Sequence, residues 1–296
     1  MSKILITGAS GHLGKATINY LLEKTAVANI VALVRDAAKA EELKQKGVEI
    51  RVGDYDNYAS LTAAFAGIDK ILFVSGSDIG RRIQQHENVV KAAKDAGVKH
   101  VVYTSFQRKN EGPDSPIAPV AEAHIKTEAW LRQSGLAYTI LLNNIYMDIL
   151  PMFIGNNVLE TGIYFPAGDG KAAMMLRDDM AAACAAVLAT NGHENKTYDI
   201  TSDAAVSFGD IAAIISEISG KPVGYVSPAK EEFVNTLTGA GVPAELAHVS
   251  AGFAEAIKQE EFAKTSTDFE TLTGRKPVTA KQFLQQVFTT QALNKN

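Results

Sequence analysis

The chain reads as an α/β protein: a doubly wound parallel sheet followed by a smaller, mostly helical part. Three observations predict this. Short strands, apolar on both faces, alternate with helical patterns through the first half, as in a parallel sheet covered by helices on both sides. A glycine-punctuated loop joins the first strand to the first helix, and the alternation breaks down past residue 144.

In order, the strand "KILITG" (3–8) precedes the helix "KATINYLLEK" (15–24), in which Ile18, Leu21 and Leu22 keep helical spacing. "IVALVR" (30–35), the charged helix "AAKAEELKQK" (37–46) and "VEIRVGD" (48–54) follow. "SLTAAFAG" (60–67) leads into "KILFVSG" (70–76), and "RIQQHENVVKAAKDAG" (82–97) into "KHVVYTSF" (99–106). A repeated strand–helix unit implies right-handed crossovers. After "AYTILLNN" (137–144) come "GIYFPAGDGK" (162–171), an alanine-rich helix (178–190), "KTYDIT" (196–201) and "SFGDIAAIISEISG" (207–220). Ser207 with Asp210 three residues on resembles a capping box. The expected division is a nucleotide domain over 1–150 and a smaller, discontinuous substrate part over 151–296.

Composition narrows the function classes. Net charge is −4, and no run of Lys or Arg offers a track for a phosphate backbone, so nucleic acid is not an expected partner. A lone cysteine, Cys184 in "AAACAAVLA", excludes an intrachain disulfide and a cysteine-based metal site, and its apolar setting suits a core residue. His193 and His248 lack metal-ligand spacing. Apolar runs fall short of the roughly 20 residues a membrane span needs, and no secretory leader pattern is visible. A soluble, cytoplasmic monomer or homodimer is the expectation.

Gly8, Gly11 and Gly14 form G-x-x-G-x-x-G between a strand and a helix. In a dinucleotide site the first glycine permits the tight turn. The second lets backbone approach the pyrophosphate, the third allows close helix–strand packing, and the helix N-terminus attracts the phosphates. The alternative is a turn with no ligand. At the tip of the second strand, 21 positions after Gly14, stands Arg35. An arginine there accommodates a 2′-phosphate, whereas a carboxylate would bind a ribose hydroxyl. Asp36 follows but is placed to start the next turn. The expected fold is therefore Rossmann-type and the expected cofactor NADP(H).

"TGASGHLG", the arginine of "LVRD", "GDYDN", "GVKHVVYTS", "HIKTE" and "GLAYTILLNNIY" occur in the order found in NmrA-like atypical short-chain dehydrogenases, which the chain resembles along nearly its whole length, through "GDGK", "RDDMAAA", "GHENKTYDIT" and "LTGRKPVT". Within that family it looks most like the group of type 2 NAD(P)H:quinone oxidoreductases and triphenylmethane reductases. The resemblance implies that Gly8, Ser10, Gly11, His12, Leu13, Gly14, Arg35, Ser75, Gly76 and Ser77 line the cofactor cleft. It puts Asp54 and Tyr55 near the adenine, Tyr103, Thr104 and Ser105 toward the nicotinamide, and Asn144, as a cofactor-binding residue, with Tyr146 at the mouth of the nicotinamide and substrate pocket. The family usually carries an arginine before that asparagine; here the position is Asn143.

Typical short-chain dehydrogenases use a Tyr-x-x-x-Lys pair as their proton relay. In "PVAEAHIKTEAWLRQSG" (119–135) Glu122 stands four residues before Lys126; aligned instead on Glu128, Val120 takes the tyrosine position and His124 the lysine position. Reducing a simple ketone builds an alkoxide that a general acid must neutralise. A quinone gives a resonance-stabilised anion that takes its proton from solvent, and a cationic triarylmethane dye needs no proton. The expected activity is hydride transfer from NADPH to an aromatic or quinone acceptor, with His124 and Tyr146 as candidate catalytic residues. A non-catalytic NADP(H)-binding redox sensor is the alternative. His86 is expected to be structural, and Phe153, Tyr164 and Phe165 to belong to the core more than to the pocket.

Overall fold

The computed structural model describes residues 2–155 and 157–293. Its centre is a seven-stranded sheet in the order β3-β2-β1-β4-β5-β6-β9, parallel at every junction. The first six strands are β1 (Ile4–Ile6), β2 (Ile30–Val34), β3 (Glu49–Val52), β4 (Lys70–Phe73), β5 (His100–Phe106) and β6 (Ala137–Asn143). They are joined by helices α1 (His12–Leu22), α2 (Glu41–Gln45), α3 (Tyr58–Phe65), α4 (Arg82–Asp95) and α5 (Ala118–Ser134). The strand order reverses between β1 and β4, which opens a crevice at the C-terminal strand ends.

Past β6 the chain forms α6 (Leu150–Ile154), α7 (Val158–Thr161), β7 (Ile163–Tyr164) and β8 (Lys171–Ala172), then returns to the sheet. Helix α8 (Arg177–Ala189) is buried from Asp179 to Leu188, because its alanines let it pack closely against α1 and the sheet. Strand β9 (Lys196–Ile200) pairs with β6. Thus "KTYDIT", read as part of the second region, completes the first region's sheet. A local pattern gives a strand's existence, whereas its pairing partner is chosen by burial against elements far along the chain.

The remaining elements are β10 (Val206–Ser207), α9 (Phe208–Ser219), β11 (Tyr225–Val226), α10 (Lys230–Gly239), α11 (Ala244–Lys258), α12 (Asp268–Thr273) and α13 (Ala280–Leu293). The Ser207–Asp210 capping box is present in both directions at the start of α9. One apolar cluster fills the α1/α8 face of the sheet and a second the α3/α4/α5 face; a third joins α6, α9, α10, α11 and α13. Phe165 is fully buried there, 4.5 Å from the Phe208 ring and 5.0 Å from Phe153. Cys184 is also fully buried, which pushes its thiol up to about 12 and leaves it inert.

Candidate active site

The crevice at the switch point is a cleft of about 350 Å³. At its floor, Gly8 adopts φ +59° and its carbonyl accepts from the Gly11 N–H at 2.9 Å. A Cβ on Gly14 would lie 2.4 Å from the Gly8 oxygen, so only glycine lets α1 sit this close to the strand end. Helix α1 starts with no side-chain cap and no acidic residue in its first turn. Its N-terminal N–H groups and positive dipole end are left for an anion.

Of the residues expected in the cleft, Gly8, Ser10, Gly11, Arg35, Asp54, Tyr55, Ser75, Gly76 and Ser77 line it. Arg35 is exposed and has no ion pair or hydrogen bond among the described residues. Asp36 instead caps the turn after β2, accepting from the Ala38 N–H at 2.9 Å. Tyr55 donates to the Val74 carbonyl at 2.8 Å and shares a hydrogen bond with the Thr7 hydroxyl, tying the ends of β1, β3 and β4 together. Burial raises its phenol above the ordinary value. On the rim, Arg81 bridges Asp56 at 2.8 Å and Asp78 at 2.7 Å.

The other expected residues are placed differently. His12 opens α1 and is exposed, while the Leu13 and Gly14 side positions face the core. Thr104 accepts from the Ser75 N–H at 3.0 Å, and Ser105 donates to Glu128 at 2.5 Å. Glu128 is itself buried and paired with Arg108 at 2.8 Å. Asn144 is fully buried: its amide donates to the Phe262 carbonyl at 3.0 Å and to Gln107, clamping the β6 end to the segment after α11. Tyr146 is half-buried, with the Arg177 guanidinium 5.4 Å from its ring centre. Burial is the largest cause of its raised phenol pKa.

A buried cluster joins β4, β5, α4 and α5 beside these residues. The Gly76 N–H donates to His86 Nε2 at 2.9 Å, so the His86 proton sits on Nδ1, which donates to Thr127 at 2.8 Å. The Tyr103 hydroxyl lies 2.7 Å from His124 Nδ1 and shares a hydrogen bond with it. Burial brings His86 down to about 3 and holds His124 well below the ordinary imidazole value, with the Arg82 charge adding to both. His86 is structural, as expected: it fixes the turn after β4.

Two more residues of this region are buried: Arg82, not singled out in the sequence, and Asn143, which stands where the family usually carries an arginine. Arg82 is 8% exposed, and Asn143 is 2% exposed with both amide atoms lacking a partner. A signal for Arg82 existed. A cation on the first residue of a helix opposes the helix dipole.

The NmrA-like family model matches residues 1–287. The chain belongs to the NmrA-like family. It is 40% identical over 249 residues to quinone oxidoreductase 2 of Escherichia coli K12, covering 84% of this chain and 85% of that protein. It is 35% identical to an NAD(P)H azoreductase of Xenophilus azovorans, covering 82% and 83%. The crystal structure of a Citrobacter sp. triphenylmethane reductase complexed with NADP(H) superposes with a TM-score of 0.88, at 40% identity over 96% of this chain and 99% of that one. These NmrA-like relatives are all oxidoreductases, and the resemblance read from the motifs holds. Among the described residues no helix is long and apolar enough to cross a membrane, and no cluster of His, Cys, Asp or Glu is arranged to hold a metal.

Proposed function

We propose that this chain is an NADPH-dependent reductase that delivers hydride to a quinone-like or cationic conjugated acceptor. One observation carries the choice of acceptor: α5 has no tyrosine–lysine pair, and the imidazole at the lysine position is kept neutral by burial. No charged acid stands ready to quench an alkoxide, so acceptors that receive hydride without obligatory proton transfer fit this site.

The residues fit NADP(H). The bare N-terminus of α1 and the Gly8–Gly14 turn suit the pyrophosphate, and the unpaired Arg35 suits the 2′-phosphate. Asp54 and Tyr55 flank the adenine side, and Ser75, Gly76 and Ser77 run toward the nicotinamide. Bound NADPH supplies the hydride. Thr104 holds β5 against the end of β4 and Tyr103 holds it against α5, so the cleft floor stays rigid while an acceptor stacks on it. Burial keeps His124 neutral, so it is not a charged acid, and Tyr146 closes the pocket mouth from the α8 side. Asn144 fixes the segment around Phe262, whose ring lies 5.2 Å from Phe106 and so helps to exclude water.

The test is steady-state NADPH consumption with a small quinone panel, a cationic dye and cyclohexanone. Turnover of quinone or dye without cyclohexanone supports the reading. Efficient reduction of cyclohexanone would show that an acid replaces the tyrosine. NADPH binding with no turnover of any acceptor would favour a redox sensor.

A further inference from the structure

Arg82 is a buried cation with no ion-pair partner among the described residues. It is 8% exposed, its Nε has no hydrogen-bond partner, and no carboxylate pairs with it among the described residues. Every other buried charge in this region is compensated: Arg108 and Glu128 pair with each other, and Asp179 pairs with Arg275 at 2.6 Å. An unpaired buried guanidinium is costly, and the position at the start of α4 adds to the cost through the helix dipole. Such a charge persists where a ligand supplies the missing anion.

Its surroundings say which anion. The Arg82 stem lies beside Gly76, where a Cβ would come within 3.9 Å of Cγ, so the side chain borders the cleft wall. Its electrostatic neighbours are Tyr103 on β5, Tyr146 beyond β6 and Asp78 on the rim, and it bears on both His86 and His124. These groups cluster at the β4–β6 end of the crevice. The phosphate-binding features, the α1 N-terminus and Arg35, belong to the β1–β2 end. A cofactor phosphate therefore has its partners elsewhere, and Arg82 belongs to the other end of the crevice.

We propose that Arg82 is a catalytic residue that stabilises the oxyanion formed on the acceptor. The proposal rests on the reductase reading above. Hydride from NADPH, carrying two electrons and one proton, reduces the quinone to a hydroquinone monoanion and leaves NADP⁺. The guanidinium donates hydrogen bonds to the oxygen on which charge develops, and a solvent proton completes the hydroquinone. The interaction strengthens as the reaction proceeds, which is the condition for accelerating it. The same charge opposes a cationic acceptor. The site is therefore built for quinones over cationic triarylmethane dyes.

The experiment compares wild type with Arg82→Met and Arg82→Lys. Arg82→Met is expected to lower kcat/KM for 1,4-benzoquinone about a hundredfold, whereas kcat/KM for crystal violet does not fall. Arg82→Lys recovers part of the quinone rate. Removing an uncompensated charge should raise the thermal midpoint of Arg82→Met by about 2 °C or more; a fall would mean that the guanidinium supports the fold. Equal losses for both acceptors, or an equal loss in NADPH affinity, would overturn the proposal. A measurement without turnover judges it separately. The wild type with NADP⁺ should bind 4-nitrophenol as the phenolate at lower pH than in free solution, and Arg82→Met should not. If the wild type turned over neither acceptor, the reductase reading would fail while this titration still decided the role of Arg82.

Discussion

The two ends of the crevice are built on opposite principles. The β1–β2 end is made of backbone and one exposed side chain: a glycine turn, a bare helix terminus and an arginine open to solvent. The β4–β6 end is made of side chains packed out of water, with Arg82, His86, Tyr103 and His124 all at least nine-tenths buried. The first end can bind anions cheaply because its groups stay solvated until the ligand arrives. In the second, low polarity strengthens every charge interaction, at the cost of holding imidazoles neutral and a guanidinium unpaired. One end is suited to recognition, the other to reactivity.

The largest effect that would break this contrast is at the glycine loop. A Cβ on Gly11 would lie 3.2 Å from the Gly8 carbonyl and would occupy the surface a phosphate must approach. Gly11→Val should weaken NADPH binding by about a hundredfold or more, equivalent to roughly 2.7 kcal/mol, with thermal unfolding little changed. Unchanged affinity by calorimetric titration would remove the loop from the cofactor site.

Arg35 comes next. Arg35→Ala should cost NADPH about 1.5–3 kcal/mol, roughly a tenfold to hundredfold loss, and NADH almost nothing, since NADH has no 2′-phosphate. Paired dissociation constants at fixed ionic strength check this. Equal losses for both cofactors would assign Arg35 to the fold.

The buried end should reveal itself in acid. Burial holds His86 at about 3 and His124 well below the ordinary 6.5, so below pH 6.5 the unfolded chain binds more protons than the folded one. Their contribution to stability is complete above pH 6.5 and is lost as pH falls toward the folded values. Each costs up to about 1.4 kcal/mol per pH unit in that window. Urea unfolding at pH 7.5, 6 and 5 should show the midpoint falling. A flat profile would mean that these imidazoles are charged in the folded protein.

The smallest effect sharpens the first end. Asp36 is turned into a cap, so Asp36→Ala should cost stability of about 0.5–1 kcal/mol and shift the NADPH-to-NADH preference less than about twofold. A large gain in preference would show the carboxylate facing the phosphate.

The same contrast governs what could be read from the chain. The nucleotide half of the fold was legible because strand, glycine turn and helix are neighbours in sequence, and Gly8, Gly14 and Arg35 are specified by local backbone geometry. The departure at α5, which has no tyrosine four residues before either Lys126 or His124, is likewise visible in the residues alone. Tertiary structure decided the rest. Strand β9 joins β6 from more than fifty residues away. Tyr103 and His124, 21 positions apart, share a hydrogen bond that only the packing of α5 on β5 creates. Arg82 is marked in sequence only by its place at a helix start, and its burial without an ion-pair partner among the described residues follows once the helix is docked. Local interactions encode turns and helix starts within a few residues. Burial, which sets the charge state of a histidine and leaves an arginine unpaired, is a property of the assembled fold.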